Sequence, residues 1–253
     1  MRTTTLEKYL ETTDLRRLLT ELGAQNIELV VDEIEHFTEK EGEKRDNIVL
    51  SYFGQAGVTQ IVDAIVTELI RPPKLKTNAR ILDMDAGSGF FTTRVASKLK
   101  KHLPHASFYA MDATPAMLLT IANKTNVITP LFGIAENILG SMRKAKQYAD
   151  VPTRFDALLS TLMLHHCPDI NKVFQSIRKI LNPTGKAVII DMCTHLFTEF
   201  KEEMGDLHLG FDPNEIKEAA QKSFSKASFK KLPGICCKSS GRCAELFIAT
   251  MRP

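Results

Sequence analysis

The sequence predicts an α/β protein: a doubly wound, mostly parallel sheet of seven strands, preceded by an N-terminal helical cap. Three observations predict it. Apolar runs of strand length alternate with helix-patterned stretches from about residue 80 to residue 192, which implies parallel strands with helices on both faces. The first run ends in an acidic, small-residue turn, Asp83-Met-Asp-Ala-Gly-Ser-Gly89, that leads directly into a helical stretch. The last two strand candidates lie close together with no helix between them, as in an antiparallel hairpin at a sheet edge.

The elements follow in order. Leu6, Leu10, Leu15, Leu18, Leu19 and Leu22 recur at helical spacings, and Gly23 ends that pattern. A second helix is expected over 26–39, with Ile27, Val30, Val31, Ile34 and Phe37 on its apolar side. Residues 39–46 read as a charged loop. The cap is assigned to residues 1–56 and the core domain to 57–253. A helix over 57–70 buries Val58, Ile61, Val62, Ile65, Val66 and Leu69, and Arg71-Pro-Pro73 stops it because proline cannot continue the hydrogen-bond ladder. Strands are expected at 80–84, 107–111, 127–132, 155–160 and 186–192, with helices at 90–101, 115–122, 137–147 and 170–181 between them. Helices at 196–208 and 213–222 then precede strands at 227–231 and 244–250, joined by a loop containing Pro233 and Gly234.

Composition narrows the function. A chain of 253 residues suits one α/β domain with a modest addition. Its net charge of +3 is too small to point to nucleic acid, and the C-terminal run of Lys222, Lys226, Lys230, Lys231, Lys238, Arg242 and Arg252 reads as a solvated face. No apolar stretch approaches the ~20 residues of a bilayer span, and no basic-then-apolar signal pattern opens the chain. The expectation is a cytoplasmic protein with no membrane partner. Five cysteines then read as free thiols rather than a disulfide framework. Cys236, Cys237 and Cys243 lack Cys-x-x-Cys spacing, so no metal site is assigned.

The glycine turn carries the first chemistry. Gly87 and Gly89 lack a Cβ, so a ligand can lie close to the backbone, and the helix N-terminus that follows favours a polar or anionic ligand edge. A P-loop needs a lysine that is missing here, and a dinucleotide fingerprint needs a third glycine where Thr92 stands. Ile81, Leu82, Asp83, Gly87, Ser88 and Gly89 resemble motif I of the class I S-adenosylmethionine (SAM) methyltransferases. Asp85 departs from it, standing where that family has its first glycine. The resemblance extends over about residues 57–253, terminal hairpin included, and implies the Rossmann-like methyltransferase fold.

Three further segments support it. Asp112 ends an apolar strand 23 residues after Gly89, where an acid typically binds ribose hydroxyls, and Ala113-Thr-Pro-Ala-Met117 after it resembles the family pattern. Gly133-Ile-Ala-Glu136 resembles the Gly-Asp-Ala-Glu that meets the adenine, except that Ile134 replaces the aspartate. Packing by Ile134 and the Ala135 N–H would then serve the ring, with Glu136 beside them. The stretch from Phe155 to Asp169 resembles motif IV of small-molecule methyltransferases, quinone-biosynthesis enzymes among them. It places Ser160 and Thr161 beside the cofactor and His165 and His166 at the reaction site, as bases or as structural residues.

The resemblance therefore implies a SAM-dependent enzyme that methylates a small molecule by in-line displacement and releases S-adenosylhomocysteine. Its cofactor site would comprise Asp83, Asp85, Ala86, Gly87, Ser88, Gly89, Asp112, Ala113, Met117, Ile134, Ala135, Glu136, Ser160 and Thr161. His165 and His166 are the catalytic candidates, and Tyr52, Asp191, His195 and His208 the substrate candidates. The departures at Asp85 and Ile134 keep open a methyltransferase-fold module that binds SAM or a partner without turnover. A nicotinamide oxidoreductase is a third reading, disfavoured by the missing glycine. The acceptor and the oligomeric state, a homodimer included, stay open.

Overall fold

The structure is a computed structural model that describes residues 2–36 and 39–253; Phe37 lies outside the described residues. Seven strands form one sheet in the order β3-β2-β1-β4-β5-β7-β6. They are β1 Arg80–Met84, β2 Ser107–Asp112, β3 Ile128–Phe132, β4 Phe155–Thr161, β5 Leu181–Met192, β6 Lys226–Ser239 and β7 Arg242–Arg252. β1 to β5 run parallel, and β7 is antiparallel to both β5 and β6. This is the doubly wound, mostly parallel sheet that the alternating pattern predicts.

Side-chain alternation along the strands feeds two cores. Ile81, Ala110, Leu159 and Ile190 face one side, against α4 (Glu39–Ile70) and α5 (Phe90–Leu99). Leu82, Met111, Leu158 and Ile189 face the other, against α7 (Ile138–Ala145), α8 (Ile170–Ile180) and α10 (Pro213–Gln221). A third cluster joins the N-terminal helices, α1 (Arg2–Thr12), α2 (Leu15–Leu22) and α3 (Ile27–His36), to the sheet end. There Leu6, Leu10, Leu18, Leu19 and Leu22 bury against Leu118 of α6 (Pro115–Lys124), Phe132 and Ile134. Burying an apolar side chain of this size stabilises by about 1.5–3 kcal/mol, so these leucines favour docking of the N-terminal helices on the sheet.

Several expectations change. The leucine repeat forms two helices, because the Asp14 carboxylate accepts the Arg17 N–H and starts α2 afresh. The expected loop over 39–46 is the start of α4; its Glu and Lys residues are good helix formers. Only Gly54, at φ +64°, interrupts that helix. By length and composition Lys44–Ile70 meets the measure of a bilayer span, with a mean hydropathy of 1.2, which the sequence reading did not expect. Its Ile61, Val62, Ile65, Val66 and Leu69 are buried against the sheet. The helix expected over 196–208 is only α9 (Glu199–Met204), ended by left-handed Gly205.

The C-terminal hairpin is longer than expected. Pro233-Gly234 is not its turn but lies in a register shift between Leu232 and Cys236. The turn is Ser240-Gly241, both at positive φ, between the paired residues Ser239 and Arg242. A two-residue left-handed turn matches the twist of the flanking strands. Cys236 and Cys243 form a disulfide across this hairpin, which corrects the expectation of free thiols for these two. Cys237 is a buried free thiol on the opposite face of β6.

Candidate active site

The parallel strands deliver β1, β2, β3 and β4 to one end of the sheet, where a cavity of about 270 Å³ opens. Such crevices beyond the carboxyl ends of parallel strands are the usual ligand sites of open α/β sheets. The turn after β1 forms one wall. Asp85 (φ +54°), Gly87 (φ +53°) and Gly89 (φ +74°) are all left-handed. That conformation explains why a glycine would suit position 85; aspartate is among the few residues that also visit it. At Gly89 a Cβ would lie 2.9 Å from Cγ1 of Ile121, so helix α6 leaves no room for one.

Asp112 ties two loops together. Its carboxylate is buried and accepts the N–H groups of Gly87 at 2.7 Å and Thr114 at 2.8 Å. An ionised carboxylate offers about four lone-pair sites, so acceptor capacity remains. Burial pushes its pKa up, against the pull of these N–H donors. Asp83 lies behind the turn, bonded to the Thr92 hydroxyl at 2.6 Å, and burial raises its pKa to about 7. Asp46 of α4 accepts from Ser88 and from Lys124, both at 2.6 Å, which fastens the cap helix to the glycine turn.

The loop after β3 forms a second wall. Gly133 has no space for a Cβ, which would sit 2.3 Å from that of Ser141. The Ile134 N–H donates to the Ser141 hydroxyl, and the Ile134 side chain packs in the cap cluster. Ala135 opens a one-turn 3-10 helix, Ala135–Asn137, whose first N–H has no partner within that turn.

The loop after β4 forms the third wall. His165 is buried; its Nδ1 lies 2.7 Å from Oδ1 of Asp191, and its Nε2 lies 3.5 Å from Oδ1 of Asp206. Burial lowers the His165 pKa, but the Asp191 and Asp206 carboxylates outweigh it and the net shift is upward. His166 Nδ1 faces the Gly205 carbonyl at 3.3 Å. Burial and the neighbouring His165 push the His166 pKa down to about 3, so it is neutral.

Of the residues named from the sequence, Tyr52, Asp85, Ala86, Gly87, Ser88, Asp112, Ala113, Met117, Ile134, Ala135, Glu136, Thr161, His165 and His166 line this one cavity. Others lie off its wall. Asp83 and Gly89 support the turn from behind, and Ser160 is fully buried in β4. The substrate candidates change most. Asp191 is buried as the partner of His165. His195 stacks on Phe197 with ring centroids 5.0 Å apart, and His208 Nε2 meets the Cys167 carbonyl at 3.0 Å. Sequence reasoning missed the cap's contribution, namely Ala24, Gln25, Asn26, Arg45 and Val49, and the thiols Cys167 and Cys237. The cap residues carry no motif. Only the position of the cap just before the glycine-turn domain hinted at them.

Residues 75–232 match the family described as a methyltransferase domain. The chain belongs to that family. Membership bears out the class I SAM methyltransferase resemblance read from the sequence. The chain is 27% identical over 145 residues to the ubiquinone/menaquinone biosynthesis C-methyltransferase UbiE of Rickettsia bellii (strain RML369-C), covering 57% of this chain and 55% of the relative. It thus spans about half the length of that curated relative. Among solved structures it is similar to the DszA carbon methyltransferase, with a TM-score of 0.61 and 18% identity over 81% of this chain and 57% of that one. It is also similar to phosphoethanolamine N-methyltransferase 2 of Haemonchus contortus in complex with SAM, with a TM-score of 0.55 and 16% identity over 86% of this chain and 60% of that one. At these identities the structures establish a shared fold.

Proposed function

We propose that the protein transfers the methyl group of SAM to a small-molecule acceptor. The observation that carries the reading is Asp112. It is buried at the end of β2, lines the cavity, is bonded to the glycine turn and keeps acceptor capacity for ribose hydroxyls.

The other residues fit the same ligand. Gly87 and Ser88 would hold the methionine part. Asp85 lines the cavity, and its charge attracts an ammonium group. Ile134 and Ala135 would take the adenine through packing and an N–H. Thr161 presents a buried hydroxyl oxygen with no hydrogen-bond partner at the cavity wall. When bound, SAM supplies an electrophilic methyl group on a sulfonium sulfur.

The protein's own part is positioning and exclusion of water. Tyr52, Val49 and the Ala24-Gln25-Asn26 loop bring the cap to the cavity and narrow its access. Asp191 and the Gly205 carbonyl can only accept, so both histidines carry their proton on Nδ1. Nε2 of the neutral His166 then offers a lone pair, and Nε2 of His165 offers one when that ring is deprotonated. A weak base suffices for a neutral nucleophile that carries a proton, because methylation gives it a positive charge and makes that proton more acidic.

The test is calorimetric titration of SAM and S-adenosylhomocysteine into the wild type and Asp112→Ala. Micromolar binding lost in the variant is the expected result. No heat on folded wild-type protein would overturn the reading and favour a module that has kept the fold without the cofactor.

A further inference from the structure

Among the described residues, Asp206 is the one side chain with two buried polar atoms that lack a hydrogen-bond partner. It follows the short helix α9, is buried, and neither carboxylate oxygen has a hydrogen-bond partner. A buried carboxylate without donors is costly unless something positive meets it. Its neighbour His165 is 3.5 Å away, long for a hydrogen bond. His165, His166 and Asp206 each bring one ligand atom within 4.8 Å of the others.

We propose that these three side chains form a site for a first-row divalent transition ion. Metal–ligand bonds of ~2.0–2.1 Å at a roughly tetrahedral angle separate two ligand atoms by about 3.3 Å. The His165–Asp206 separation of 3.5 Å is close to that figure. The surroundings match as well. A metal-binding histidine usually donates its other ring N–H to a carboxylate or a carbonyl. Here Asp191 takes the Nδ1–H of His165, and the Gly205 carbonyl faces Nδ1 of His166. Two imidazoles and one carboxylate suit zinc, cobalt, iron or manganese better than magnesium or calcium.

Both histidines line the cavity, so an ion they hold borders the ligand space and could take an acceptor oxygen as a further ligand. It would occupy the lone pairs that otherwise accept a proton, so the two roles are alternatives. The inference rests on the side-chain cluster and not on the methyl-transfer reading.

The test is titration of the full chain with Co²⁺ alone, followed by its visible d–d absorption, and with Zn²⁺ by calorimetry. Wild type, His166→Gln and Asp206→Asn are compared, with circular dichroism to confirm folding. One ion per chain is expected in the wild type, with binding at least ~10-fold weaker in each variant. If Asp206→Asn does not fold, the half-buried His166→Gln decides. Folded wild-type protein that takes up neither ion, or uptake unchanged in His166→Gln, overturns the proposal. S-adenosylhomocysteine titrated into the same samples reports on the methyltransferase reading separately.

Discussion

His165 Nδ1 lies 2.7 Å from Oδ1 of Asp191, which joins the loop after β4 to the end of β5 inside the protein. The sequence suggests both residues for the site but not their pairing. Asp191 is fully buried and also accepts the N–H groups of Leu164 at 2.7 Å and Met192 at 2.8 Å. Burial pushes its pKa up, but His165 and these donors pull it below the ordinary 3.8.

Asp191→Asn should therefore destabilise the fold by about 1–3 kcal/mol, because an amide N–H₂ would face donors. The sign of the pH dependence follows. His165 is raised above 6.5, so its contribution is complete below 6.5 and is lost as pH rises through the folded value. Asp191 is lowered, so its contribution is complete above 3.8 and is lost as pH falls through the folded value. Urea unfolding between pH 4 and 9 should show the His165 part of this dependence reduced in the variant. An unchanged slope above pH 6.5 would refute the pairing as a stabilising link.

Asp83 should make SAM binding depend on pH. Its buried carboxyl has a pKa of about 7 in the free protein. A cationic ligand favours the ionised form, so binding releases protons and affinity rises as pH climbs through 7. The same raised pKa makes the free protein less stable as pH rises from 3.8 towards 7. Calorimetry at pH 6 and pH 8, in buffers of different ionisation heat, reads both proton release and affinity. Equal affinity with no proton release would count against ionisation of Asp83 on binding.

Two glycines should separate binding from folding. A Cβ at Gly87 meets nothing within 4 Å, so Gly87→Ala costs only the left-handed strain of about 1–2 kcal/mol while placing a methyl where the ligand would lie. A Cβ at Gly133 would strike Ser141 at 2.3 Å and Met111 Sδ at 3.0 Å, an overpacking cost of about 1–3 kcal/mol. Gly87→Ala should lose S-adenosylhomocysteine binding with a smaller fall in melting temperature than Gly133→Ala. The reverse order in melting would show that the turn after β1 is a folding element first.

What the sequence made legible was local. Strand, turn and helix from Ile81 to Arg94 were readable because a short apolar run, two glycines and a helical run sit side by side. Asp112 was readable from its distance to Gly89. Arg45, Val49 and Cys237 were not, since they reach the cavity through packing between elements far apart in the chain. Asp206 was overlooked because nothing next to it marks a buried, partnerless carboxylate. Ile134 departs from the family pattern at a position where it packs against cap leucines, a contact visible only in three dimensions. The hairpin strands run on into the expected loop around Pro233-Gly234, which the sequence pattern gives no reason to pair. Ser240-Gly241 carries the signal of a two-residue hairpin turn.

The hairpin disulfide should be measurable apart from the site. Cys236 and Cys243, seven residues apart with Cα atoms at 5.4 Å, close a short loop around Ser240-Gly241. The chain-entropy estimate for so small a loop is about 2–3 kcal/mol, acting mainly by restricting the unfolded chain. β6 is the edge strand of the sheet and β7 is its sole partner, so the link guards the end of the sheet most open to fraying. Cys243→Ser, or reduction of the wild type, should lower the melting temperature by several degrees. Hydrogen exchange should quicken first in Lys238, Ser239 and Arg242, beside the link. A reduced protein that melts with the oxidised one would show that the register shift at Leu232 and the turn at Ser240-Gly241 hold the hairpin without the bond.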